Sequence, residues 1–140
     1  MAHDFKRFPE LTNRQAELYY WDSPHRQIFE DFHARVVKVT DGDTIRVSVD
    51  FRDFDFPIRF LDIDAPEIKE PNGEKVQRYL ASRILGRRID VDINPRNRVD
   101  RWGRLLGKIS EGGIDMGDDM LRQGMVTRFD KRDEGEIPTL

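Results

Sequence analysis

Two stretches of strict alternation dominate the middle of the chain and leave few folds open to it. Ile45, Val47, Val49 and Phe51 are separated by Arg46, Ser48 and Asp50, and Phe54, Phe56, Ile58 and Phe60 by Asp55, Pro57 and Arg59. Apolar residues at every second position line one face of a strand and leave the other to water, so each stretch reads as a half-buried antiparallel strand. Arg52-Asp53 is expected to form the tight turn between them, making a hairpin. Pro57 has no N–H to give to a ladder, which predicts an edge or a bulge at that point. A shorter β-branched run precedes the pair, from Ala34 to Val39. Val76, Leu80 and Ile84, with Tyr79 beside them, fall at helical spacing between Asn72-Gly73 and the stop signal Gly86. Ile89, Val91 and Ile93 alternate again, ended by Asn94-Pro95. Leu105 to Ile109 and Ile114 to Met116 flank Glu111-Gly112-Gly113, a hairpin signal. A last short helix carries Met120 and Leu121, with Asp118 and Asp119 in its first turn and Gly124 after it.

Five or six short strands with one helix inserted are too few for a two-sheet sandwich. Closing the sheet on itself removes its edges. The expected class is therefore mainly β with helices (α+β): a five-stranded Greek-key barrel of the OB type, capped by two to three short helices. Residues 31–130 are assigned to this barrel domain, and residues 131–140 to a charged C-terminal tail. Residues 1–30 read as an N-terminal extension with one short helix, opened by the capping box Thr12-Asn13-Arg14-Gln15. Leu18, Tyr19, Tyr20 and Trp21 follow the box and are expected to cover the side of the core. A protein-partner surface over residues 11–21 is the other reading.

Composition narrows the function. A chain of 140 residues makes one domain the default. A formal charge of −3 excludes the strongly basic whole domain that is the simplest nucleic-acid signature. Zero cysteines exclude a disulfide scaffold, a thiolate zinc site and a cysteine nucleophile. His3, His25 and His33 show no metal-ligand spacing. No run approaches the roughly 18 apolar residues of a membrane span. The segment MAHDFKRFPE lacks the apolar stretch of a signal peptide, so a cytoplasmic location is expected.

Polar residues break the apolar pattern at three places. Thr40-Asp41-Gly42-Asp43-Thr44 joins two β-runs; Asp-Gly there is first of all a turn. It also has two acids around a glycine with hydroxyls on both sides, a loop suited to a hard cation such as Ca²⁺ or Mg²⁺. At the second place Arg59 lies on the strand face opposite the phenylalanines, Asp64 stands at the strand exit, and Glu67 follows the break at Ala65-Pro66. The third is Arg101-Trp102-Gly103-Arg104, which ends a stretch from Arg83 with seven arginines against Asp90, Asp92 and Asp100. Arg83, Arg87 and Arg88 read as a solvated face. Arg104, beside a glycine and an aromatic, reads as a phosphate-binding fork. Carboxylates for a metal, one further carboxylate and two arginines are the inventory of phosphodiester hydrolysis.

Four motifs in order carry a resemblance: Val39-Thr40-Asp41-Gly42-Asp43-Thr44, the segment from Ile58 to Glu67, Asp100-Arg101-Trp102-Gly103-Arg104, and Leu121-Arg122-Gln123-Gly124. Over residues 33 to 129 the chain resembles the staphylococcal nuclease (thermonuclease) family. The resemblance implies an OB-fold barrel and a Ca²⁺-dependent phosphodiesterase that cuts DNA and RNA to leave a 3′-phosphate and a 5′-hydroxyl. It implies that Asp43, Asp64 and the backbone carbonyl of Ala65 ligate Ca²⁺, with Asp41 supporting the site from its edge. Glu67 would act on the attacking water as general base, and Arg59 and Arg104 would bind the scissile phosphate and stabilise the five-coordinate phosphorus. Arg101 and Trp102 would contact the nucleotide, Trp102 either stacking on a base or covering the barrel mouth. Three departures stand out. Ala65 replaces a frequent threonine, a tyrosine expected near residues 128 to 130 is absent from Arg-Phe-Asp, and the third C-terminal helix has little sequence left to form it. The rival reading is a catalytically inactive OB-fold module that binds nucleic acid or protein.

Overall fold

The computed structural model describes residues 3–129, and the tail assigned to residues 131–140 lies outside them. The long strand β1 (Phe32–Asp41) turns into β2 (Thr44–Val49), which pairs with β3 (Arg52–Phe60). Short β4 (Ile63–Asp64) follows, then helix α2 (Gly73–Ile84), β5 (Arg88–Asp92) and β6 (Leu105–Glu111). β7 (Ile114–Asp115) leads into α3 (Met116–Arg122), and β8 (Thr127–Arg128) pairs back on β4. In space the sheet runs β3-β2-β1-β5-β6-β7. A parallel pairing of β3 with β6, Ile58 opposite Leu105 through Phe60 opposite Gly107, closes β1, β2, β3, β5 and β6 into the expected five-stranded barrel.

The alternating residues fill it. Ile45, Val47, Phe56, Ile58 and Phe60 are buried, joined by Val36, Ile89, Val91 and Ile109 from the other strands. Each such side chain contributes on the order of 1.5–3 kcal/mol by leaving water. α2 lays Val76, Leu80 and Ile84 on the core, as the helical spacing predicts. Pro57 sits where β3 is an edge, since its pairing with β6 begins only at Ile58. Asp115 caps α3 by accepting from the Asp118 N–H at 2.8 Å.

The structure departs from the sequence reading at three points. The β2–β3 turn lies at Asp50-Phe51 rather than Arg52-Asp53, so Phe51 is exposed and Arg52 is buried. The cause is long-range: the Arg52 guanidinium is drawn inward to the Glu10 carboxylate (2.5 Å) and the Arg26 carbonyl (2.5 Å), over the rings of Phe54 and Phe56.

Helix α1 (Asn13–Tyr19) starts at the expected Thr12 capping box, yet it buries none of its residues. Leu18 is 72% and Trp21 93% exposed, so these side chains do not cover the core. The extension is held instead by the segments that flank the helix. Glu10, Leu11, Gln27 and Ile28 are all buried, and the Leu11 N–H donates to Gln27 Oε1 at 2.6 Å.

The stretch from Arg83 to Arg104, whose seven arginines against three acids predict a locally positive strip, is finally not one strip. Arg83 pairs with Asp119, Arg87 with Glu111, and Arg98 turns into the interior.

Candidate active site

Asp41, Asp43, Arg59, Asp64 and Arg104 come to one end of the barrel from four chain segments. The β1–β2 turn is set by its own polar atoms: Asp41 Oδ1 accepts from the Asp43 N–H at 3.0 Å. The Asp43 carbonyl accepts from the Phe60 N–H at 2.8 Å, which ties this turn to the end of β3. Asp43 is thereby held almost buried, with Oδ1 accepting from the Thr44 hydroxyl (3.1 Å) and Oδ2 from the Ala65 N–H (2.9 Å). Asp62, at a left-handed φ of 69°, reverses the chain after β3 and brings Asp64 back beside the Arg59 guanidinium.

Arg59 stands opposite Thr44 in the β2–β3 ladder and its side chain is only 8% exposed. Its Nη2 lies 3.6 Å from Asp43 Oδ2 and 3.5 Å from Asp64 Oδ1, while Nη1 donates to the Phe60 carbonyl at 3.0 Å. The Phe129 ring sits 4.6 Å from its guanidinium carbon. That aromatic occupies the stretch where a tyrosine was expected and has a place in the site that sequence reasoning did not give it. Its N–H donates to the Asp62 carbonyl.

Arg104 enters from the loop before β6. Its Nε donates to Asp100 Oδ2 at 2.7 Å and its Nη1 to the Thr44 hydroxyl at 3.3 Å, so Thr44 links it to Asp43. Asp100 is 4% exposed and accepts from the Trp102 and Arg104 N–H groups as well. Sequence reasoning quoted Asp100 within a motif and gave it no role, though an acid four residues before an arginine in a short loop is the available signal.

The remaining site residues stand further out. Glu67 is exposed in the loop after β4, and its carboxylate makes no hydrogen bond or ion pair among the described residues; its main chain pairs with Glu70. The loop is pressed against α2, where a Cβ on Gly73 would come within 1.8 Å of the Glu67 carbonyl. Arg101 and Arg104 both face the Trp102 ring at 5.3 Å, and Trp102 is 60% exposed.

Crowding of acids is visible in their proton affinities. Asp41 is pushed up to about 6 by burial and by the neighbouring Asp43 carboxylate. Asp64 is raised by burial and the Asp43 charge, against the downward pull of Arg59. The folded pKa of Asp41 lies above its ordinary value of 3.8. Its contribution to stability is therefore full below pH ~4 and lost as the pH rises through about 6. Asp41→Asn keeps the Oδ1 acceptor and removes that loss. Thermal melts in chelator are expected to rise by about 2–4 °C at pH 7, the effect being reduced by partial exposure, and to converge with wild type near pH 4. A lower melting temperature at pH 7 would contradict this account of the turn.

Among the described residues no three His, Cys, Asp or Glu side chains close on one point as a ready metal cage. What converges is a pair of carboxylates, Asp43 and Asp64, at one guanidinium. Such hard oxygen donors fit a cation that takes its other ligands from main-chain carbonyls and water.

A closed OB-type barrel with carboxylates and two arginines gathered at one end defines a small class of proteins. The chain matches the family described as staphylococcal nuclease homologue over residues 57–140, and it belongs to that family. An uncharacterized endonuclease of Escherichia coli O157:H7 is 39% identical over 102 residues, which cover 72% of this chain and 63% of that protein. The micrococcal nuclease of Shigella flexneri is 37% identical over 79 residues, 56% of this chain and 42% of its own length. Endonuclease YncB of Bacillus subtilis (strain 168) is 27% identical over 95 residues, 64% of this chain and 44% of the relative. The chain thus spans less than two thirds of the length of these relatives. No helix among the described residues is long and apolar enough to cross a membrane.

Proposed function

We propose that this chain is a Ca²⁺-dependent nuclease, a phosphodiester hydrolase acting on DNA or RNA to leave 3′-phosphate and 5′-hydroxyl ends. The observation that carries the reading is the Arg59 guanidinium between Asp43 and Asp64, with Arg104 fixed beside it through Thr44. Two guanidinium forks held at one end of the barrel suit the oxygens of a single phosphodiester. Family membership and the nuclease names of its relatives support the same reaction.

In this reading Asp43, Asp64 and the Ala65 carbonyl hold the Ca²⁺, and Asp41 shapes their turn. The ion supplies charge neutralisation at the phosphate oxygens. Glu67, whose carboxylate is not engaged elsewhere among the described residues, takes a proton from the attacking water as a new P–O bond forms. Arg59 and Arg104 meet the charge that grows on the phosphoryl oxygens. The P–O5′ bond breaks, and the leaving 5′-oxygen takes up a proton from solvent. Arg101 and Trp102 lie at the rim, with the exposed indole available to stack on a base. For a protein partner through residues 11–21, the support is the exposure of Leu18, Tyr20 and Trp21.

Two measurements test this. Products of an end-labelled oligonucleotide are expected to carry 3′-phosphates, shown by resistance to polymerase extension until phosphatase is added. Millimolar Ca²⁺ is expected to raise the melting temperature, because a ligand bound only by the folded state stabilises it. An unchanged melt would remove the metal from the reading. Products with 3′-hydroxyl ends would overturn the assigned bond cleavage.

A further inference from the structure

We infer that the N-terminal extension is part of the nuclease's working structure, with Phe8 as a positioning residue for Arg104. The segment 98–104 closes as a loop: Val99 bridges Leu105, the Asp100 N–H donates to the Arg104 carbonyl, and the Leu106 N–H donates to the Arg98 carbonyl. Within it, Asp100 fixes the direction of the Arg104 side chain through Nε. The outer side of the loop is open, as the exposed Trp102 shows.

Its inner side rests on the extension at both ends. At the base, Arg98 is 2% exposed. It donates to the carbonyls of Ile28 (2.8 Å) and Leu11 (2.9 Å), to Asn13 Oδ1 (3.0 Å) and to Glu10 Oε2 (3.3 Å). The Phe29 ring lies 3.9 Å from its guanidinium carbon. At the tip, Gly103 has a φ of 82° and lies so close to Phe8 that a Cβ there would come within 2.6 Å of Phe8 Cδ1. The Phe8 main chain is itself fixed, its N–H donating to the Asp4 carbonyl (2.9 Å) and its own carbonyl meeting His3 Nε2 (2.7 Å). The extension thus clamps the base of the loop with an ion pair and its tip with a ring. Displacing a transition-state donor by about 1 Å can cost on the order of a hundredfold in rate.

The test uses the full chain with Phe8→Ala, Phe8→Leu and Gly103→Ala. NMR follows solvent exchange of the Arg104 Nε–H, which Asp100 protects; kcat and KM on single-stranded DNA and the melting temperature are measured alongside. Phe8→Ala is expected to speed Nε–H exchange and lower kcat by about tenfold each, with KM within roughly twofold. Phe8→Leu is expected to recover most of both, and Gly103→Ala, whose methyl would meet Phe8 on a backbone held at a φ of 82°, to speed exchange as Phe8→Ala does. Unchanged exchange in Phe8→Ala and Gly103→Ala overturns the inference. So does an equal loss in Phe8→Ala and Phe8→Leu that merely follows a fall in melting temperature. The kinetic arm rests on the nuclease reading. Faster exchange in a protein whose wild type cuts nothing would uphold the positioning role and sink that reading instead.

Discussion

Arg59→Lys is expected to slow phosphodiester cleavage by roughly 10²–10³-fold while the barrel stays folded. Lysine keeps the positive charge but loses the planar fork, and geometry is what this site has invested in Arg59. Its two terminal nitrogens are spread among Asp43, Asp64 and the Phe60 carbonyl, with Phe129 against the guanidinium. A point charge can satisfy one of these directions at a time and cannot also present a donor pair to a phosphate. Single-turnover rates on single-stranded DNA, with circular dichroism melts as the folding control, measure the effect. A variant within threefold of wild type would remove Arg59 from the reaction.

The largest stability effect is expected outside the site itself, at Glu10. Its carboxylate pairs with Arg52 through Oε1 and Arg98 through Oε2, all three side chains being essentially inaccessible to water. Burial lowers the proton affinity of Arg98, and the Glu10 charge opposes that shift. Beside Glu10, Arg52 has the Arg26 carbonyl and the faces of Phe54 and Phe56, while its Nε and Nη1 lack hydrogen-bond partners among the described residues. Glu10→Gln leaves two buried guanidinium groups facing a neutral amide, which is expected to cost about 3–5 kcal/mol. Urea denaturation would show this as a midpoint lowered by about 2 M at the slope usual for small domains. A midpoint within a few tenths molar of wild type would show that the triad is hydrated in solution.

This triad also explains where sequence and structure part. The barrel was legible because its inner face is apolar at every second residue, and Val47, Phe56 and Ile58 need no distant partner to declare their side. The β2–β3 turn was misplaced because the residue that decides it, Arg52, answers to Glu10, 42 positions away. Alternation cannot register such a partner. The exposure of Trp21 was hidden for the same reason: aromatic content predicts burial unless the flanking segments, here Glu10-Leu11 and Gln27-Ile28, already hold the chain.

At the site, Asp41, Asp43, Arg59, Asp64 and Arg104 stood out as polar residues where the strand pattern ends, and the barrel does bring them to one end. Thr44 stood out only as a hydroxyl flanking the acidic loop, with no link to Arg104, and Phe129, Asp100 and Phe8 were given no role. Each is an ordinary residue type for its local segment and acquires its place only through a contact made across the fold.

The central claim is that this site hydrolyses phosphodiesters, and one measurement reaches it directly. Purified protein is incubated with end-labelled single-stranded DNA in Ca²⁺, in Mg²⁺ and in chelator, beside Glu67→Ser under the same conditions. The account predicts cleavage that requires Ca²⁺ and falls by at least about a hundredfold in the variant. Intact DNA under every condition would contradict it and leave a binding module, whereas equal cleavage by wild type and Glu67→Ser would strip Glu67 of its role as base.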